Sequence, residues 1–123
     1  MQQKRVALYL RSPKEDPEEL SRQQRVCTAL AHENDWEIVA CFEDNATSGN
    51  SLERGGLEAL STFVALGKCD LVLVESSTCI SRVPILLQEI VRRFGLSGVA
   101  LHTSYGQVRL APLSSKSLWE PVK

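Results

Sequence analysis

The stretch Asp70-Leu71-Val72-Leu73-Val74-Glu75-Ser76-Ser77-Thr78-Cys79-Ile80-Ser81-Arg82 decides the fold. After Asp70 comes a short continuous apolar run, the signature of a strand buried on both faces of a parallel sheet. The chain then turns to small polar residues and closes on Ile80-Ser81-Arg82. From there it runs into the clearest amphipathic pattern in the sequence. Val83, Leu86, Leu87, Ile90, Val91 and Phe94 fall at i, i+3, i+4, i+7, i+8 and i+11, with Gln88, Glu89, Arg92 and Arg93 opposite them. A buried strand that empties into a polar loop and a helix N-terminus is the usual seat of a binding or catalytic site in an open α/β sheet.

Upstream, Arg5–Arg11 reads as a first strand, stopped by Ser12-Pro13 because proline removes a ladder donor and pushes its predecessor out of helical space. Pro17–Glu33 is expected as a helix. Pro17 suits its first position, Glu18 and Glu19 suit the positive end of its dipole, and Leu20, Cys27, Leu30 and Ala31 share a face. Glu37–Glu43 is a second strand, and the polar span from Asn45 to Gly56 a long, mobile loop. Leu57, Leu60, Phe63 and Val64 mark another helix, ended near Gly67 by an αL cap.

Downstream, Gly98–His102 is a fourth strand and Gln107–Leu110 a short fifth, joined through Tyr105-Gly106. From Ala111 the chain has two prolines, three serines and no periodicity, so residues 111–123 are expected as an irregular tail behind a single domain of residues 1–110. Alternating strands and helices predict a three-layer α/β domain with a mostly parallel sheet of four to five strands and helices on both faces, layered like flavodoxin.

Composition narrows the class. At 123 residues, 43% hydrophobic and 24% charged, the chain suits one soluble domain with its own core. Fourteen basic and 15 acidic residues leave a net charge of −1, which argues against a generic polyanion binder. It leaves room for a DNA-acting domain whose affinity comes from another module. No stretch approaches the ~20 apolar residues of a membrane span and no signal-peptide pattern opens the chain, so a cytoplasmic protein without a membrane partner is expected. Cys27, Cys41, Cys69 and Cys79 are scattered without a C-x-x-C pair, as in a protein with reduced, mostly buried thiols. Cys79, at a loop–helix junction, is read as a small core residue over a reactive thiol, although helix N-termini depress thiol pKa. His32 and His102 show no partner in the sequence, and Trp36 reads as a packing residue.

Several pieces, in order, resemble the catalytic domain of the serine recombinases, the resolvase/invertase family. Tyr9-Leu10-Arg11 resembles that family's Tyr-x-Arg-x-Ser, and Gln23 stands at a glutamine used near its site. Asp44–Gly49 resembles Asp-x-x-x-Ser-Gly, and Glu53–Leu57 resembles Arg-Pro-x-Leu with glycine in place of proline. Ile80-Ser81-Arg82 resembles the end of Asp-Arg-Leu-Ser-Arg. The resemblance spans about Arg5 to His102. It implies DNA strand exchange through a serine that forms a covalent phosphoserine link, needing no metal or cofactor because arginines neutralise the developing charge. Arginine suits this task through its permanent charge and planar fork. Carried onto this chain, the catalytic candidates are Arg11, Arg54, Arg82 and Ser12, and the phosphate- or DNA-binding candidates are Gln23, Ser48, Gly49, Arg54 and Arg82. The implied partners are DNA and either a second copy or an intact recombinase.

Three departures from that pattern bear on activity. The family's nucleophile sits two residues after the first arginine, on the same strand face. That position is Pro13 here, and alternation points Ser12 to the opposite face unless the strand end kinks. Thr78-Cys79 stands where the family has Asp-Arg, and loss of one preorganised donor typically costs about 10²–10³ in rate. Family members continue into a long pairing helix, a form the prolines and serines of residues 111–123 are not expected to adopt. The leading expectation is a recombinase domain that is catalytically impaired, lacks its DNA-binding module and acts as a regulatory or interaction subunit. One alternative is an active subunit using a displaced Ser12. The other is a small phosphate- or nucleotide-binding α/β protein unrelated to recombination, which the lack of a Gly-rich loop after the first strand disfavours.

Overall fold

A computed structural model describes residues 3–110, so expectations for 111–123 lie outside the described residues. In chain order the elements are β1 (Arg5–Arg11), α1 (Pro17–Glu33), β2 (Glu37–Asp44), α2 (Gly55–Ala65), β3 (Leu71–Leu73), a 3₁₀ turn (Ser77–Cys79), α3 (Pro84–Leu96), β4 (Ala100–Thr103) and β5 (Gly106–Val108). The five strands lie in the order β2-β1-β3-β4-β5. The first four are mutually parallel, and β5 returns antiparallel to β4. This is the mostly parallel α/β sheet expected from the alternation of elements.

Strand alternation divides β1 between two layers. Ala7 and Tyr9 join Val72, Val74, Leu101 and the apolar stripes of α2 and α3, including Leu57, Leu60, Ile90 and Phe94. Val6 and Leu8 join Leu71, Leu73 and the Cys27–Ala31 stripe of α1, with Trp36 packed beside them. Helices therefore cover both faces, one on one side and two on the other. Trp36 also meets His102 edge-on, with ring centroids 5.3 Å apart.

The ends of the elements follow local chemistry. Asp16 caps α1 by accepting from the Glu19 N–H at 3.1 Å, and Pro17 opens the helix. Gly67, at φ +73°, closes α2 in the left-handed region, where glycine has no Cβ to clash. The hairpin turn falls at Ser104-Tyr105, one residue earlier than its composition suggests, because β5 begins at Gly106. The polar span after β2, expected to be mobile, is tied down. The Thr47 N–H donates to the Ser12 carbonyl, and the Gly49 carbonyl accepts from the Arg82 N–H and the Ser81 hydroxyl.

All four thiols are free, and only Cys41 is exposed. Burial pushes the Cys27 thiol up to about 12 and the Cys69 thiol up to about 11, and raises Cys79 as well. Cys79 is thus a core thiol despite its position at a loop–helix junction. A disulfide-exchange reagent at neutral pH is expected to titrate one thiol per native chain and four in denaturant. More than one fast thiol would contradict this packing. No helix of the described residues is long and apolar enough to cross a membrane.

Candidate functional site

The C-terminal end of β1 is the centre of the site. β3 pairs with β1 only from Val6 to Leu8, so the last residues of β1 have no strand on that side. Gln23, inside α1, fills the gap. Its Nε2 donates to the Arg11 carbonyl at 2.9 Å and its Oε1 accepts from the Arg11 N–H at 3.1 Å. The carboxamide thereby takes the place of a neighbouring strand's peptide group. Gln23 Nε2 also donates to Glu19 at 2.9 Å, and Cys79 Sγ lies 3.6 Å from its Oε1.

Alternation turns the Arg11 side chain toward the α2/α3 layer, where it meets Arg54 from the start of α2. The two residues are 4% and 3% exposed. Neither forms an ion pair with a carboxylate among the described residues; their donors go to main-chain carbonyls instead. Arg11 donates through Nε to Cys79 O at 2.9 Å, through Nη1 to Thr47 O at 2.7 Å and through Nη2 to Thr78 O at 2.5 Å. Arg54 donates through Nε to Ser51 O at 2.8 Å and through Nη1 to Cys79 O at 3.1 Å and the Tyr9 hydroxyl at 3.0 Å. Its Nη2 donates to Ile80 O. Burial, helped by the neighbouring charges of Arg54 and Arg82, lowers the Arg11 pKa from its ordinary value, and arginine remains charged at any working pH.

Tyr9 and Asp44 complete this interior network. The Tyr9 hydroxyl donates to Asp44 Oδ2 at 2.6 Å, and burial together with that bond raises the phenol well above its ordinary range. Asp44 also accepts from the N–H groups of Gly56 and Leu57 at 2.7 and 2.9 Å. It caps α2 from a different element, since the residue at the cap position, Arg54, makes no capping bond.

Arg82 and Ser48 lie outside this interior. Both are exposed. Arg82 stands over Gly49, where an added Cβ would come within 3.2 Å of Arg82 Cγ and 2.9 Å of Arg11 Nη2. Gly49 thus lets the two arginines close around the loop. The Ser48 hydroxyl accepts from the Asn50 N–H. Ser12 is 2% exposed, and its hydroxyl donates to the Lys14 carbonyl at 2.5 Å. Its main chain is held by Asp44 O and the Thr47 N–H. No hydrogen bond links Ser12 Oγ to Arg11, Arg54 or Arg82 among the described residues.

The structure therefore brings Arg11, Arg54 and Gly49 together with Arg82 at the rim, while Gln23 acts on the Arg11 main chain. Tyr9 and Asp44 were not among the sequence candidates. The available signal for each was the motif it opens, Tyr-x-Arg-x-Ser for Tyr9 and Asp-x-x-x-Ser-Gly for Asp44. Among the described residues, no group of three or more His, Cys, Asp or Glu side chains is arranged to hold a metal ion. At the rim, Arg22 pairs with Glu19 and Glu75. These contacts, chiefly the Arg22 hydrogen bond and then that from Gln23, hold the Glu19 carboxyl at about 2. Its stabilising contribution is present above the ordinary carboxylate range and lost as pH falls toward 2. The loss of stability between pH 5 and pH 2.5, read from urea midpoints, is expected to be shallower in Glu19→Gln. An unchanged slope would remove Glu19 from that balance.

Residues 6–114 match the family described as the resolvase N-terminal domain. The chain belongs to that family. This sets aside the reading of a nucleotide- or phosphate-binding α/β protein unrelated to recombination. Three solved structures share the resolvase fold. The N-terminal catalytic domain of TP901-1 integrase is 23% identical, with a TM-score of 0.77 over 81% of this chain and 77% of that one. The C-terminal catalytic domain of ISC1926 TnpA, an IS607-like serine recombinase, is 28% identical, with a TM-score of 0.74 over 80% and 68%. A resolvase family site-specific recombinase from Streptococcus pneumoniae is 25% identical, with a TM-score of 0.73 over 84% and 73%. No curated protein sequence matches the chain.

Proposed function

We propose that this resolvase-family domain works in site-specific DNA recombination as a regulatory or interaction subunit that engages DNA phosphate but transfers strands poorly on its own. The observation that carries this reading is the Ser12 hydroxyl. Its proton is committed to the Lys14 carbonyl, and none of the three arginines bonds to it. A serine nucleophile needs a base or a lowered pKa, and a cation beside the phosphate it attacks. Ser12 is one residue off the family's register, where Pro13 stands.

Two further features support impairment. Cys79, in place of the family's second motif arginine, is a buried thiol whose pKa burial raises. Arg11 and Arg54 direct most of their donors at carbonyls of their own chain, which leaves Arg82 as the exposed cation of the set. Family membership supports DNA as one partner, and the proposal takes the other to be a second recombinase subunit, either another copy or an intact relative.

The test is a denaturing gel of the protein incubated with supercoiled and nicked DNA. No covalent protein–DNA band is expected, alone or with Ser12→Ala. A band that Ser12→Ala abolishes would establish Ser12 as a displaced nucleophile and overturn the impaired reading.

A further inference from the structure

Three successive carbonyls, those of Thr78, Cys79 and Ile80, all point at the Arg11 and Arg54 guanidinium groups and take four of their hydrogen bonds. The backbone that aims them is the 3₁₀ turn Ser77–Cys79 together with Ile80, the right-handed helical residue that closes it. A cluster of acceptor oxygens facing paired arginine forks is what a phosphate group would otherwise present. Without it, two like charges would sit buried with most of these hydrogen bonds unmade, and an uncompensated buried ion costs several kcal/mol.

From this geometry we infer that the Thr78–Ile80 turn is an internal stand-in for an oxyanion. A DNA phosphate reaches Arg11 and Arg54 only by exchanging with these carbonyls, so docking is coupled to opening of the turn. The inference rests on the phosphate-engaging reading above and names how that same site is gated. Exchange requires the peptide planes of residues 78–80 to rotate while Ile80 keeps its side chain in the core. The turn's own bonds then break: Cys79 N–H to Ser76 O, and the Ile80 and Ser81 N–H groups to Ser77 O. The opening spreads to a second loop, because Gly49 O accepts from both the Ser81 hydroxyl and the Arg82 N–H. The side of the turn facing solvent is lightly held. The Ser76 hydroxyl accepts from the Thr78 N–H at 3.3 Å and lies 3.0 Å from the Thr78 hydroxyl.

Amide hydrogen exchange on the full 123-residue chain tests this, with inorganic phosphate and then a short DNA duplex as probes and sodium chloride of equal ionic strength as the control. Phosphate is expected to speed exchange at Cys79, Ile80 and Ser81 by about tenfold, with Leu8 and Val72 in the sheet unchanged. Ser76→Ala, which loosens the turn without touching an arginine, is expected to tighten phosphate binding by about threefold to tenfold, because part of the opening has already occurred. Phosphate binding with unchanged or slowed exchange at these amides would overturn the inference, as would no binding in either protein. A covalent DNA adduct would remove only the impaired reading and leave this exchange intact.

Discussion

Replacement of Arg54 by methionine is expected to destabilise the domain by about 3–5 kcal/mol, the range for removing one partner from a buried charged network. The side chain is buried and donates to Ser51 O, Tyr9 Oη, Cys79 O and Ile80 O. Methionine fills much of the volume and supplies none of the donors. Each acceptor left dry costs about 1–3 kcal/mol, partly relieved where water enters. For a domain of about 100 residues the melting temperature would fall by about 15–30 °C. Lysine is expected to recover less than half of the loss, because one ammonium cannot span four acceptors that a planar fork reaches together. Urea unfolding of the wild type and both variants provides the measurement. A cost below about 1 kcal/mol would mean that the carbonyls are served by other donors, and it would also undercut the gating of the turn.

The second large effect is expected from a single methyl group. In Gly56→Ala the new Cβ would lie 2.3 Å from Glu43 O and 2.8 Å from Asp44 Oδ2, both on β2. Backbone cannot yield as a flexible side chain does, so β2 and α2 must separate. That separation pulls the Asp44 carboxylate off the Gly56 and Leu57 N–H groups it caps. The expected loss is about 2–4 kcal/mol, from overpacking and the lost cap together. Gly55 is the internal control, with nothing within 4 Å of its Cβ position. Alanine there is expected to stabilise by about 0.4–1 kcal/mol, by restricting the unfolded chain. Proline, well suited to the first helical position, should do the same. Opposite signs at adjacent glycines, read from denaturant midpoints, are the outcome that supports this packing; equal signs would refute it.

The layering was legible in the sequence because it depends on periodicity alone. The apolar run after Asp70 and the stripe from Val83 to Phe94 each fit only one kind of element, and their alternation fixed a parallel sheet covered on both sides. The site was less legible. The sequence placed Arg11, Arg54 and Arg82 near one another through their motifs, but the direction of a guanidinium depends on the loops around it. Here the 45–52 and 77–82 segments fold so that carbonyls meet Arg11 and Arg54 and leave Arg82 outside. Gln23 illustrates the same limit. Its position on α1 was readable, but its carboxamide's service to the Arg11 main chain follows from β3 pairing only as far as Leu8, and no local pattern records where a neighbouring strand stops. Cys79 was readable as a core thiol, since small apolar residues at such junctions are more often packed than exposed.

The Asp44 cap also bears on the order in which the chain folds. Helix α2 carries no capping side chain of its own, and its first turn is completed by a carboxylate from the end of β2. A segment of 11 residues is too short to persist alone in water. Its N-terminal turn is therefore expected to form after β2 has docked beside β1, which places Asp44 next to Arg11 in register. Mutations in the first turn of α2 should accordingly speed unfolding while leaving the folding rate nearly unchanged, whereas mutations in the β1–β2 pairing should slow folding. The rates expected are those of a helix that follows the strands, its cap closing on a nucleus formed by β1 and β2.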